Sequence, residues 1–238
     1  MENNVKILIV VPAYNEEDNI IGVIDSLIYE CNYADILVIN DGSKDNTEQK
    51  ARSKNVKVIS QKLNLGIGGT VQTGFKFASK YNYDIVVQFD GDGQHNAFEI
   101  KRLIIPIIEN LADVVIGSRF LNKGGFQSTF LRRLGIKIFE YINSILINQK
   151  ITDNTSGFRA YNKKAIDFLA DNYPQDFPEP EAIIILGKKN LKLIEIPVIM
   201  NERSKGKSSI TGFKSHLLNA VSIATFNIQK IDTKICFL

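Results

Sequence analysis

The sequence predicts an α/β fold, a doubly wound and mainly parallel sheet with helices on both faces, on three observations. Short apolar runs of strand length alternate with stretches of helical periodicity from residue 5 to residue 116. The runs are apolar on both faces, which places them under helices on either side rather than against water. The residues just after several runs are polar, and in sheets of this class ligands bind beyond the carboxyl ends of the strands.

The first strand is expected over residues 5–11, VKILIVV, an unbroken apolar run. Residues 36–39, 56–59, 84–89 and 113–116 repeat that pattern as further strands. Helix-like stretches lie between them at residues 17–29, 45–53, 68–80 and 97–110. Strand, helix and strand in repetition make a series of parallel crossovers. At 238 residues the chain suits one domain with short additions, because a single core serves chains of up to about 250 residues. The expected division is an α/β domain over residues 1–209 and an amphipathic tail over residues 210–238.

A hydrophobic content of 44% with 23% charged residues is ordinary for a soluble globular protein. Two cysteines, Cys31 and Cys236, and two histidines are too few soft ligands for a zinc site or a disulfide framework. The first ten residues carry Glu2 and run into a strand pattern without a basic start or a small-residue cleavage site, so a cytoplasmic location is expected. A net charge of +3 argues against a general nucleic-acid binder. From Asn201 onward, however, six basic residues stand against only Glu202 and Asp232. That suits an anionic ligand or a membrane surface, or is simply a solvated basic end.

Residues 130–147 interleave Phe130, Leu131, Leu134, Ile138, Phe139 and Ile142 with Arg132, Arg133 and Lys137, the pattern of a cationic amphipathic helix. Packing on the sheet is the alternative reading. Residues 210–228 are again helix-like and apolar, but Lys214, His216, Asn219 and Asn227 interrupt them. A spanning helix needs about 18 or more uninterrupted apolar residues, so this segment is expected to lie on a membrane rather than cross it.

The strongest chemical signal is Phe89-Asp90-Gly91-Asp92-Gly93-Gln94-His95, where an apolar strand delivers two carboxylates separated by Gly91. A divalent cation with a diphosphate needs hard oxygen ligands and backbone that can approach closely, and this segment supplies both. Asp92 is the better candidate for direct metal contact, with Gln94 as a second ligand and Asp90 turned to the ribose or a metal-bound water. A polar turn capping the next helix is the plain alternative. Asn40-Asp41-Gly42-Ser43 also follows a strand, and Asp41 suits the ring N–H of a uracil or guanine base, although Asp-Gly-Ser is also a common turn. Pro12-Ala13-Tyr14-Asn15-Glu16 is a third polar junction beside these two. The run Asn64-Leu65-Gly66-Ile67-Gly68-Gly69-Thr70 does not follow the first strand and carries Val71 where a dinucleotide fingerprint needs its third glycine.

In series, VPAYNEE, NDGSKDNT, NLGIGG, FDGDGQH, GSR, TDNTSGFRAY and the segment 202–208 follow the order and rough spacing of glycosyltransferase family 2. The chain most resembles the polyprenyl-phosphate sugar synthases of that family, over residues 5 to 210. The resemblance implies a GT-A fold, an inverting transfer and a donor site dependent on Mg²⁺ or Mn²⁺. It implies that Pro12, Tyr14, Glu16, Asp41, Asp90, Gly91 and Asp92 hold the nucleotide sugar, with Asp90, Asp92 and Gln94 at the metal. Arg119 and Arg132 would meet the acceptor phosphate, and Arg203 and Lys207 would close over the diphosphate. The sequence differs from the family pattern at Asn40, where a first aspartate is common, and at Ile136, where some relatives carry serine.

Charge builds on the departing diphosphate as the sugar leaves, and a cation with Arg203 and Lys207 stabilises it. A sugar-hydroxyl acceptor would need a carboxylate base, for which Asp153, Glu179 and Glu181 are candidates. A phosphate, with a second pKa of about 6, needs none at neutral pH. On that reading Arg159 is either an acceptor-side group or a structural partner of Asp153, and Glu181 either positions the acceptor or starts a helix. A polyprenyl phosphate keeps its charge at the bilayer surface, so peripheral attachment is expected at the inner membrane face, with a small membrane protein as a possible partner. Two other readings remain: a family 2 enzyme acting on a saccharide hydroxyl, and a nucleotide-sugar binding protein without turnover.

Overall fold

The computed structural model describes residues 5–121 and 147–201. The apolar runs become strands β1 (Ile7–Ala13), β2 (Asp35–Asn40), β3 (Lys57–Ser60), β4 (Ile85–Gln88) and β5 (Val114–Ser118). Between them lie α1 (Ile20–Glu30), α2 (Thr47–Arg52), α3 (Gly66–Lys80) and α4 (Ile100–Ile108), the last entered through a 3-10 turn at Ala97–Glu99. These elements fall within a few residues of the expected ones. The second half adds β6 (Arg159–Asn162), α5 (Lys163–Asn172), α6 (Pro178–Lys188) and β7 (Leu193–Pro197).

All seven strands join one sheet in the order β3-β2-β1-β4-β6-β5-β7. Every pairing is parallel except those made by β6, which runs antiparallel between β4 and β5. Parallel strands need crossover helices, and these cover both faces. On one face α1, α2 and α4 bury Ile20, Ile24, Leu27, Ala51, Leu103 and Ile107 against Ile9, Val11, Val38 and Val87. On the other, α3, α5 and α6 bury Val71, Phe75, Ile166, Leu169 and Ile183 against Leu8, Val10, Leu37 and Val86. Alternate residues of β1 thus serve opposite cores, which is why its whole run is apolar.

Residues 178–181 form the first turn of α6, with Pro178 at its start and Glu179 and Glu181 both within that turn, in line with the helix-start reading of Glu181. Proline's fixed φ and the helix dipole favour this composition at a helix start. No described helix is long and apolar enough to cross a membrane. The expected helix over residues 130–147 lies, but for Ile147, outside the described residues. So do the domain boundary at residue 209 and the tail.

Candidate active site

At the carboxyl edge of the sheet β1 lies between β2 and β4, and the loops leaving these three strands meet there. Asn15 takes a left-handed conformation, φ 54°, which asparagine tolerates better than most residues. Its amide donates to Ser43 Oγ at 3.0 Å, and its side-chain carbonyl accepts from the Lys44 amide at 2.9 Å. The Glu16 amide donates to Thr47 Oγ1 at 2.8 Å, and the Glu16 carboxylate accepts from the Asn19 side chain at 2.7 Å. The first two loops are therefore stitched together, with Tyr14 left 42% exposed beside them.

Asp41 is buried, and its two carboxylate oxygens accept from the backbone amides of Leu65, at 2.7 Å, and Gly66, at 3.0 Å. It anchors the glycine-rich start of α3 to the end of β2. Each oxygen keeps a further lone pair, so the contact expected with a base N–H adds to an engaged carboxylate. Gly42 completes the junction at φ +68°, where a Cβ would sit 3.0 Å from the Asn64 nitrogen.

The Gly91 amide donates to the Pro12 carbonyl at 3.2 Å, so the Asp90–Asp92 segment continues alongside the end of β1. Asp90 Oδ2 accepts from His95 Nε2 at 3.1 Å, and its Oδ1 is buried with no partner. His95 is itself buried, stacked on Phe158 at 4.8 Å between ring centres and edge-on to Phe89. The acceptor role of the carboxylate makes Nε2 the protonated nitrogen. Burial pushes the Asp90 carboxyl up, but the His95 hydrogen bond and charge, the Gln88 amide and the charge of Arg119 outweigh it and hold Asp90 below the usual carboxylate value. Asp92 is partly exposed and accepts only from the Gln94 amide, at 3.0 Å. Gln94 O in turn accepts from the Asn201 amide at 2.8 Å, next to the paired His95 and Met200, so residues 200–201 lie against this loop.

Among the described residues no three or more His, Cys, Asp or Glu side chains gather as a self-sufficient metal cluster. Two carboxylates and an amide do suit Mg²⁺ or Mn²⁺, which are commonly held by one or two carboxylates with the remaining positions filled by water and substrate phosphates. A buried carboxylate oxygen without a protein partner, Asp90 Oδ1, fits the same demand.

A second cluster lies at the end of β5 and the start of β6. Asp153 is fully buried and grips Arg119 with both oxygens: Oδ2 accepts from the Arg119 amide at 3.0 Å and from Nε at 2.8 Å, and Oδ1 from Nη2 at 2.6 Å. Nη2 also donates to Thr155 Oγ1 at 2.8 Å. One edge of the guanidinium is thus pinned, its Nη1 makes no hydrogen bond among the described residues, and the side chain is 32% exposed. The expected pairing of Arg159 with Asp153 is not formed. Arg159 is fully buried and donates to the carbonyls of Ser156, Asn154 and Glu179 at 2.6, 3.1 and 2.9 Å. Its place on β6, in register with Gln88 and Ile116, points it to the loop that Asp153 leaves.

Glu179 keeps a carboxylate near this cluster. Burial pushes its pKa up, and Asp90 adds to that, against the opposing charges of Arg159 and Arg119. Glu181 is also pushed up, by burial and then by Asp176. Behind Asp153 stands Glu195 of β7, whose carboxylate accepts from the amides of Thr152 and Asp153 at 2.8 and 2.7 Å and from Thr152 Oγ1 at 3.0 and 3.1 Å. Arg132, Arg203 and Lys207 lie outside the described residues. Sequence reasoning passed over His95 and Glu195 as site residues. The one signal for His95 is its place at the end of the acidic motif, and for Glu195 a lone carboxylate in the run LIEIP.

The profile of glycosyl transferase family 2 matches residues 8–169, and the chain belongs to that family. It is thus a glycosyltransferase with the GT-A architecture seen in its structural neighbours. It is 35% identical over 232 residues to a UDP-N-acetylglucosamine–dolichyl-phosphate N-acetylglucosaminyltransferase of Methanococcus voltae, covering 87% of this chain and 92% of that one. It is 33% identical to a dolichol-phosphate mannosyltransferase of Pyrococcus furiosus, over 87% of this chain and 60% of that one. Among solved structures, glucosyl-3-phosphoglycerate synthase from Mycobacterium tuberculosis, in complex with Mn²⁺, uridine-diphosphate and phosphoglyceric acid, superposes with a TM-score of 0.67 at 20% identity. That match covers 85% of this chain and 72% of that one.

Proposed function

We propose that this glycosyltransferase moves a sugar from a UDP- or GDP-linked donor onto a polyprenyl phosphate at the inner face of the membrane, with inversion at the anomeric carbon. The observation that carries the reading is the Arg119 guanidinium, pinned on one edge by Asp153, with Nη1 making no hydrogen bond among the described residues and the side chain 32% exposed. A fixed cation of this kind suits an oxyanion acceptor. Asp153, with both oxygens on Arg119, is badly placed to take a proton from a sugar hydroxyl. The dolichyl-phosphate acceptors of the two relatives support the same acceptor class.

In this mechanism an oxygen of the acceptor phosphate attacks the anomeric carbon while the bond to the donor diphosphate breaks, releasing the nucleoside diphosphate. A bound Mg²⁺ or Mn²⁺ supplies charge neutralisation at the departing diphosphate. Asp92 with Gln94 would hold it, and Asp90, fixed by His95, would support it through water or the ribose. Arg119 orients the acceptor, and Arg203, Lys207 and Arg132 add positive charge around the two phosphates. Pro12, Tyr14 and Glu16 would border the nucleoside. Orientation and charge stabilisation by such groups account for a large part of the rate in group transfers of this kind.

A second reading, transfer to a saccharide hydroxyl, draws on Glu179, a carboxylate beside the site whose raised pKa suits a general base. A panel of UDP- and GDP-sugars with Mn²⁺ and a short polyprenyl phosphate separates the two, with lipid-linked sugar and free nucleotide measured together. Lipid-linked sugar from at least one donor is expected. No turnover with any donor sinks the proposal, and turnover only on added saccharide, lost in Glu179→Gln, selects the second reading.

A further inference from the structure

We propose that Glu195 is a positioning residue for the acceptor, acting through the Thr152–Asp153 backbone to set the direction of the Arg119 guanidinium. The proposal rests on the reading of Arg119 as the contact to the acceptor anion.

Glu195 is the only charged residue of β7, in register with Ile116 of the neighbouring β5. Ser118, the last residue of β5, leads directly into Arg119. The Glu195 carboxylate therefore sits behind the strand end that delivers the guanidinium. It is filled from one direction, by two successive amides and the Thr152 hydroxyl, all within 2.7 to 3.1 Å. Thr152 Oγ1 is also 3.3 Å from Ser118 Oγ, which ties the same loop to the end of β5.

Burial and the charge of Asp153 both push the Glu195 carboxyl up, against the hydrogen bonds it accepts. Two carboxylates so close repel each other, and the hydrogen bonds that Glu195 accepts from Thr152 and Asp153 offset part of that repulsion. What the arrangement secures is alignment. Charge-assisted bonds to the Thr152 and Asp153 amides fix the Asp153 backbone, and hence the plane in which its oxygens meet Arg119 Nε and Nη2. The unengaged Nη1 then has one direction. A misplacement of about 1 Å in such a group costs on the order of 100-fold in rate.

The test uses the full chain, with kinetics for polyprenyl phosphate and for the donor, calorimetry of UDP with Mn²⁺, and thermal melting. Glu195→Gln is expected to raise the acceptor KM about tenfold, a partial loss of orientation, while donor KM and UDP affinity stay within about twofold. Thr152→Val, which keeps the amides and removes only the hydroxyl, is expected to raise the acceptor KM about threefold. In an Arg119→Ala background Glu195→Gln should add no further loss, because its effect passes through Arg119. Unchanged acceptor KM, equal losses for donor and acceptor, or full additivity with Arg119→Ala overturns the proposal. If Glu195→Gln does not fold, an unaltered acceptor KM in Thr152→Val overturns it.

Failure of the functional reading looks different: the wild-type chain then transfers to another acceptor, on which the same Glu195 and Arg119 coupling is measured. Without any turnover, the side-chain Nε–H signal of Arg119 in an NMR spectrum reports the alignment directly. Glu195→Gln is expected to shift it, and an unchanged signal overturns the proposal.

Discussion

Asp90 and Asp92 stand two residues apart in one motif, yet the protein treats them differently. Asp90 is tied to a buried imidazole and hemmed in, since a Cβ on Gly157 would lie 2.9 Å from its Oδ2. Asp92 has one backbone donor and no side-chain partner among the described residues. Asp92→Asn should therefore weaken Mn²⁺-dependent UDP binding by calorimetry and lower kcat by about 100-fold or more. Gly157→Ala should lower stability by about 1 to 3 kcal/mol in thermal or denaturant melts, because the methyl crowds the Asp90 carboxylate that His95 holds and the buried Gln88 amide. Glu179→Gln offers a pH test. The folded state raises the Glu179 pKa, burial being the main cause, so it binds the proton more tightly than the unfolded chain does. The wild type thus loses stability as pH rises from the unfolded value of about 4.5 through the raised folded value. Glu179→Gln should melt higher than wild type at neutral pH, with the difference vanishing near pH 4. A difference that grows toward low pH would contradict this.

Among the elements, the parallel crossovers β1 to β5 and their helices were legible because each carries a sustained period, two-sided apolar runs for strands and 3.6-residue spacing for helices. β6 was not. Its four residues, RAYN, carry a charged and a polar side chain into the middle of the sheet, and only the carbonyls of residues 154, 156 and 179 make a buried Arg159 tolerable there. Two of these carbonyls lie only three and five residues back, but an irregular loop leaves no periodic signature, and the third, of Glu179, lies 20 residues on. β7 hid for a related reason, since Glu195 interrupts its apolar run and is satisfied by a loop about 40 residues earlier. The junction of β2 and α3 gives the prediction at this scale. Gly42→Ala forces a side chain into a left-handed conformation against the Asn64 backbone. It should cost about 1 to 3 kcal/mol of stability. By disturbing the Asp41 anchor it should also raise the donor KM, measured with the folded variant.

For the whole molecule, the proposed lipid-borne acceptor requires a route to the membrane surface, and no described helix is long and apolar enough to span it. The basic residues after Asn201 and the cationic pattern at residues 130–147 are the features that favour a membrane surface. Full-length protein should float with vesicles containing anionic lipid and not with neutral ones. Binding should fall steeply when salt is raised from about 0.05 to 0.5 M, because the attraction acts over roughly a Debye length. Binding that ignores salt and lipid charge would favour attachment through a partner protein.

The sequence alone determined the class of fold, the strands that carry the site and the acidic motif at the end of β4. Those features are local, and periodicity and spacing record them. Tertiary structure alone decided which carboxylates are spoken for. The sequence presents Asp153, Arg159, Glu179 and Glu195 as similar polar residues in the second half. Only the antiparallel insertion of β6 and the docking of β7 give Asp153 to Arg119, Arg159 to three carbonyls and Glu195 to the Thr152–Asp153 amides. The physical reason is that burying a charge is costly unless a partner meets it, and the partners of Asp153 and Glu195, like the Glu179 carbonyl that meets Arg159, lie 20 to 43 residues away in sequence.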